Sequence, residues 1–436
     1  MLSSIHRIRP SVRTLLWVLV LLASASSTAA YAQIQTVVRK FDPAPIAGAQ
    51  YKKFRSPVPG DANGGEIAFR ATVKGDVGTK GIWREPGVGP GTQVVSKGDS
   101  GQGFLFRNFK RPVLNAAGET AWFAFVTPQG SGVFRGQGAG FKIVALEGSP
   151  SPVGGNYKRF FIPALSASGR VVFWASIDQG SSEEAILSCS GGDGDCNTGS
   201  GTLEILAKSG DAISDRPGRE VCAFEGGLHA SSWGMAFIAE TKTDCANPAE
   251  LAKDGVFRKK YTGGIETVAL AGESSSLGGG FSVYTRFRDR PMIESSGNVV
   301  FRGSVSSTSN SDALFLCRAS ASCPGSPAEA IVEKGQDDML GNTLRKISAA
   351  RIDDAGDVCF HAKAKGPSAK GDAIYIRRAA GSLDRLVAKG NSVPDQPGAT
   401  FRRIKLPFMT PAGRIAFKAT VAGGAFSGPA QFLFEP

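Results

Sequence analysis

Residues able to do covalent or acid–base chemistry are few. Three histidines occur in 436 residues and His6 lies in an apolar leader, so chemistry built on several imidazoles is nearly excluded. Cys359 and His361 stand two apart in an apolar run. Alternate residues of a strand share a face, so the pair reads either as a Cys–His nucleophile or as a small buried Cys beside a histidine; no acid or oxyanion device stands beside it, which favours the second. Glu225, Asp289 and Glu183-Glu184 offer carboxylates for glycosidic chemistry, but that requires two of them roughly 5–10 Å apart, which spacing alone does not set. Asp193, Asp195, Asn197 and Glu204 fall at Ca²⁺-loop positions. Thr198 stands where such a loop needs glycine, so a polar hairpin is the stronger reading and no metal or other cofactor is expected.

The recurrent chemistry is basic. The formal net charge is +12, from 50 Lys+Arg against 38 Asp+Glu. Lys52-Lys53, Arg107 and Lys158-Arg159 occupy one place in a repeated segment, and Arg286, Arg345-Lys346 and Arg402-Arg403 occupy the same place further on. Cations gathered round a funnel concentrate anions, whereas cations at strand ends can equally serve to shield edges and keep a β protein soluble. On the first reading the partner is a polyanionic glycan, an envelope phosphate group or an acidic protein. Nucleic acid is not expected, because the aromatics fall in core phase and not as stacking platforms.

An internal repeat positions these residues. The segment Phe106…Pro112…Gly118…Trp122-Phe123-Ala124 recurs as Tyr157…Pro163…Gly169…Phe173-Trp174-Ala175 and as Phe401…Pro407…Gly413…Phe417-Lys418-Ala419. Degenerate copies end at Phe69, Phe237, Phe301 and Phe360, giving seven units, and two residues after each ring stands Ala, or Gly303 in the fifth. Each unit divides into four strands: Phe-x-x-Phe-x-x-Pro, the aromatic strand after a polar-to-Gly turn, a Gly-x-aromatic strand and a Val-x-Lys-Gly-Asp strand. The abundance of glycine (56) and phenylalanine (27) fits this plan. The seventh unit lacks its fourth strand, and Gln35–Asp42 matches the missing piece. We therefore expect an all-β, seven-bladed β-propeller of four-stranded blades, the last closed by the N-terminal strand. The blades fall near 50–99, 104–148, 156–211, 220–273, 282–337, 343–391 and 400–436 plus 34–42. Unit four departs from the others: Cys222-Ala223 replaces the basic pair, Glu225 and His229 appear, and an insertion spans Thr241–Asp254.

The units resemble secreted bacterial tandem-repeat proteins with an Asn-x-x-Gly-x-x-x-Phe motif of uncharacterised function, and they are similar to TolB-like propeller repeats. The resemblance implies a propeller and carries no catalytic residue. Only Asn115 keeps the motif's Asn; Ser166, Glu294, Asp353 and Thr410 replace it.

Residues 1–32 read as a secretory signal, with Arg7, Arg9 and Arg13 before an apolar Leu15–Ala25 and a small-x-small site at Ala30-Tyr31-Ala32. Residues 33–436 then form a single exported domain, periplasmic or extracellular, with no membrane span after cleavage and expected to be a monomer. Exported cysteines meet oxidising conditions. Cys189–Cys196 and Cys317–Cys323 fit local staples, Cys222–Cys245 makes the third pair, and Cys359 is left free.

Overall fold

The computed structural model describes residues 34–60, 65–75, 79–86, 90–137, 140–178, 182–190, 196, 201–277, 282–306, 312–320, 323 and 327–436. The leader and its cleavage site lie outside them. Among the described residues the strands form seven separate antiparallel sheets, each running from an inner to an outer strand in chain order: a seven-bladed propeller. The last sheet departs from chain order as expected. Its outermost strand is Ile34–Arg39, paired to Gly428–Phe434 and followed inward by Ile415–Gly423 and Ala399–Ile404.

The N-terminal strand reproduces the fourth strand of the other blades in detail. Val37 is skipped in its pairing register, as Val94 and Val144 are in the first two blades. Asp42 accepts the Arg39 N–H at 2.7 Å, as Asp99 accepts that of Ser96 at 2.8 Å. Asp395 and Gln396 clasp Thr36 from the neighbouring loop. One apolar cluster joins Val38, Ala416 and Leu433 of the last sheet to Tyr51, Phe69 and Trp83 of the first, so the ring closes through packing as well as pairing.

The ring-then-small pattern has a cross-strand cause. The aromatic column faces a large residue of the third strand: Phe69 opposes Trp83, Phe237 opposes Phe257 and Phe301 opposes Phe315. The small residue two positions on opposes a bulky inner-strand side chain, Ala71 against Phe54, Ala124 against Phe109 and Gly303 against Phe287. On its other side it faces Gly or Ala of the third strand, as Ala71 faces Gly81. Gly81 is required there, because a Cβ would lie 2.7 Å from the Trp83 ring and 2.4 Å from the Val95 carbonyl. Large and small thus alternate across each blade, as close packing demands.

The turn into the aromatic strand shows why the motif asparagine is replaceable. Asn115 Oδ1 accepts the N–H groups of Ala117 and Glu119, and Gly118 follows at φ +77°. Asp353 Oδ1 takes the N–H groups of Ala355 and Asp357, and Glu294 those of Ser296 and Asn298. Ser166 and Thr410 each accept one N–H. The position needs a short-range acceptor, not an amide.

Two outcomes follow from these contacts. Removing residues 34–42 strips an edge strand and its buried Ile34 and Val38, so thermal unfolding followed by circular dichroism should begin at least about 10 °C lower or lose its cooperativity; an unchanged transition would refute closure by this strand. At Asp353, burial first, with the charges of Asp357 and Asp354 adding and the Asp357 and Ala355 N–H groups opposing, pushes the carboxyl up to about 6. Its folded value lies above the unfolded one, so its ionisation costs stability as pH rises from about 4 to 6. Asp353→Asn keeps the acceptor and should raise stability near pH 7 by on the order of 1 kcal/mol, with no gain near pH 4, in denaturant titrations.

Candidate functional site

Each inner strand opens with a bulge. In the first blade Tyr51 opposes Val73 and Lys53 opposes Thr72, so Lys52 is the extra residue. The same skip occurs at Arg107, Lys158, Cys222, Thr285, Arg345 and Arg402. A bulge shifts alternation by one residue. Tyr51 and Phe54 are therefore both buried although three apart, and Lys52 and Lys53 between them are both exposed. This places the predicted cations on the solvent side of the innermost strands: Lys52 and Lys53, Arg107, Lys158 and Arg159, then Arg286, Arg345 and Lys346, Arg402 and Arg403.

Their lack of counter-ions sets them apart. Three of the four third-strand arginines are paired, Arg84 to Glu66 at 2.6 Å, Arg135 to Glu119 at 3.1 Å and Arg258 to Glu266 at 2.9 Å, while Arg377 donates to the Ile331 carbonyl. None of the ten inner-strand cations forms an ion pair among the described residues; Arg107 donates instead to the Thr127 hydroxyl, and Arg159 lies over the Phe161 ring.

Blade four interrupts the belt, as its sequence suggested. A disulfide ties Cys222, the bulged residue, to Cys245 of the insertion, and Glu220 accepts the Cys245 N–H. Glu225, Glu240 and Asp254 bring one carboxylate oxygen each within 4.8 Å of one another. Burial, then repulsion from Asp254 and Glu240, holds Glu225 above its ordinary range, with Arg286 opposing. Glu225, Asp254 and Arg286 share one open hollow between the fourth and fifth blades.

A second hollow, which sequence reasoning did not anticipate, lies where the inner strands end. It measures about 970 Å³ including its open mouth, and all seven blades line it, with Val58, Val113, Ala164, His229, Met292, Arg351 and Phe408 at equivalent positions two residues before the turn acceptor. Arg111 and Arg290 enter from neighbouring positions. The Arg111 and Arg351 guanidinium carbons sit 4.3 and 4.6 Å from the Phe408 ring centroid. Burial lowers Arg111 to about 10 and, with Arg111 repelling it, Arg351 to about 9; burial and both neighbours hold Arg290 well below its usual value. His229 Nδ1 accepts the Ile293 N–H at 3.2 Å, and burial, then Arg290 and Arg351, pushes the imidazole down to about 3.

The remaining candidates do not assemble. Cys359 is fully buried and burial drives its thiol upward, the reverse of an activated nucleophile. His361 faces Asp372 at 3.4 Å. Glu184 accepts the Phe224 N–H, and Asp289 pairs with Arg302. Asp193, Asp195 and Asn197 lie outside the described residues, while Glu204 pairs with Arg170. The three expected disulfides are present, which suits an oxidising compartment. No helix among the described residues is long and apolar enough to cross a membrane.

A family match extends over both halves of this ring. The chain belongs to a family of unknown function, DUF7453, whose model matches residues 24–226 and again 196–435. Comparison with the curated proteins finds no match. Among solved structures, this DUF7453 protein is similar to the β-propeller domain of the trilobed protease from Pyrococcus furiosus, with TM-score 0.48 and 10% identity over 88% of this chain and 95% of that one. It is also similar to polysaccharide lyase Uly1 (0.43, 8%, 93% and 94%) and to Aleuria aurantia lectin in complex with α-methyl-L-fucoside (0.32, 11%, 84% and 99%).

The half-buried imidazole of His229 gives a measurable acid limb. Its folded value lies below the unfolded 6.5, so its contribution is complete above about pH 6.5 and is lost as pH falls toward 3. His229→Asn, which retains an acceptor for Ile293, should lose less stability between about pH 7 and 4 than the parent in matched denaturant titrations. Equal losses would show that His229 is not desolvated.

Proposed function

We propose that this protein is an exported, non-enzymatic binding scaffold that takes a polyanion on the basic end of its axial channel, the class being an acidic glycan, an anionic envelope component or an acidic protein. The observation that carries the reading is the contrast in pairing. The chain pairs three of its four third-strand arginines with carboxylates, whereas the inner-strand cations, round six of seven blades, form no ion pair among the described residues. Convergent like charges at a concave mouth raise the local anion concentration and speed capture. Blade four, with its pinned insertion and acidic trio, breaks the symmetry and fixes how an elongated ligand lies across the ring.

A glycan hydrolase or lyase is the second reading. It is favoured by the carboxylates of Glu225, Glu240 and Asp254 within 4.8 Å, one held toward its acid form beside Arg286. A close carboxylate pair that keeps one proton suits acid–base work, at a spacing tighter than the roughly 5–10 Å of the usual glycosidic pair.

Polygalacturonate, with neutral dextran as control, separates these possibilities. Binding should weaken at least about tenfold when salt rises from roughly 50 to 500 mM, and again in the Arg402→Glu, Arg403→Glu double variant with an unchanged melting temperature. Salt-independent binding, or equal binding of dextran, would sink the electrostatic reading. Release of reducing ends or unsaturated products, abolished by Glu225→Gln, would select the enzyme instead.

A further inference from the structure

The hollow at the far end of the channel is chemically unlike the basic mouth. From Arg403, opposite Thr420, to Phe408, opposite Ala416, the second strand advances four residues, about 13 Å, and the wall changes from exposed cations to side chains such as Val113, Leu165, Met292, Ile293 and Phe408. Into this apolar space project Arg111, Arg290 and Arg351. Three guanidiniums so placed repel one another and have lost most of their water, which is unfavourable unless an anion joins them.

The protein supplies little compensation. None of the three forms an ion pair among the described residues. Arg351 donates to the adjacent Ala350 carbonyl at 2.7 Å, and the buried Arg111 Nε has no hydrogen-bond partner. The Arg290 side chain makes no hydrogen bond among the described residues and keeps part of its surface toward the hollow. The Phe408 ring offers only its π face to Arg111 and Arg351. The carboxylates nearby are engaged: Glu294 holds its own turn, Asp354 accepts the Ser295 N–H at 3.1 Å, and Asp289, which attracts Arg351, pairs with Arg302. His229 stays neutral and adds no charge.

We propose that this hollow is a second binding site, for a small carboxylate with an apolar body, its acid group received by Arg111, Arg290 and Arg351 and its body packed against Phe408, Met292 and the aliphatic wall. Guanidiniums match a carboxylate through paired N–H donors, and the wall rewards an apolar body over a fully hydrated anion. The site is independent of the polyanion belt and asks nothing of it.

Calorimetric titration of the whole protein with octanoate, octanamide and inorganic sulfate tests this. Octanoate should bind saturably and raise the melting temperature, while octanamide and sulfate bind at least about tenfold more weakly, since a site built for a charged group rejects the analogue lacking it. Arg290→Met should cut octanoate affinity at least about tenfold while melting no lower than the parent, because it removes a repelling charge that has no partner. The Arg402→Glu, Arg403→Glu variant should bind octanoate as the parent does, so failure of the polyanion reading and failure of this one are separable. Absence of octanoate binding to the parent, equal binding of octanamide or sulfate, or undiminished binding by Arg290→Met would each overturn the proposal. Should Arg290→Met not fold, the comparison of the three probes on the parent still decides.

Discussion

One extra residue in each inner strand governs how this propeller presents itself. A regular strand carrying large residues three apart would send one inward and the other outward. The bulge at Lys52 and its six counterparts cancels that mismatch, so Tyr51 and Phe54 enter the same core and the two residues between them turn to solvent. The blade gains a double aromatic anchor against Ala71 and Val73, and the channel gains two adjacent polar positions per blade. The cationic belt is thus a by-product of core packing that the sequence fills with Lys and Arg almost everywhere. In blade four the same place holds Cys222, which ties down the insertion.

The fold was legible because its repeat is written in residue size. The aromatic column, the small residue after it and the displaced fourth strand all correspond to cross-strand partners in the structure. The turn motif was legible in a looser sense: reading Asn115 as one member of an acceptor class anticipates Asp353 and Glu294. The belt residues could be named from position alone, although the physical reason for their doubling, the bulge, leaves no residue signature distinct from a Phe-x-x-Phe spacing.

The far hollow was not legible, for a reason of register. Between the inner-strand anchor and the turn acceptor the fourth and fifth units hold one residue more than the others, Phe224 to Ser231 and Phe287 to Glu294. Aligned forward from the anchor, His229 and Arg290 fall out of phase with Arg351 and Phe408. Aligned backward from the turn acceptor, His229, Arg351 and Phe408 share one level of the channel wall. Arg111, one more cation in a basic chain, gave no separate signal.

The two ends of the channel hold the same kind of charge in different media, and that difference decides what each can do. At the belt the cations stand in water, where salt screens them within about 10 Å and no single contact counts for much. Their effect is collective and long-ranged, and it discriminates charge density more than shape. In the far hollow, apolar walls remove the screening, so a single carboxylate meets a stronger field, and shape enters because the walls are solid. Charge is costly there: lost water holds all three arginines below their usual basicity, and repulsion from their neighbours adds to it at Arg290 and Arg351. An anion in that hollow would therefore give the arginines the counter-charge that neither water nor protein supplies there, which gives the far hollow a thermodynamic appetite that the open belt lacks.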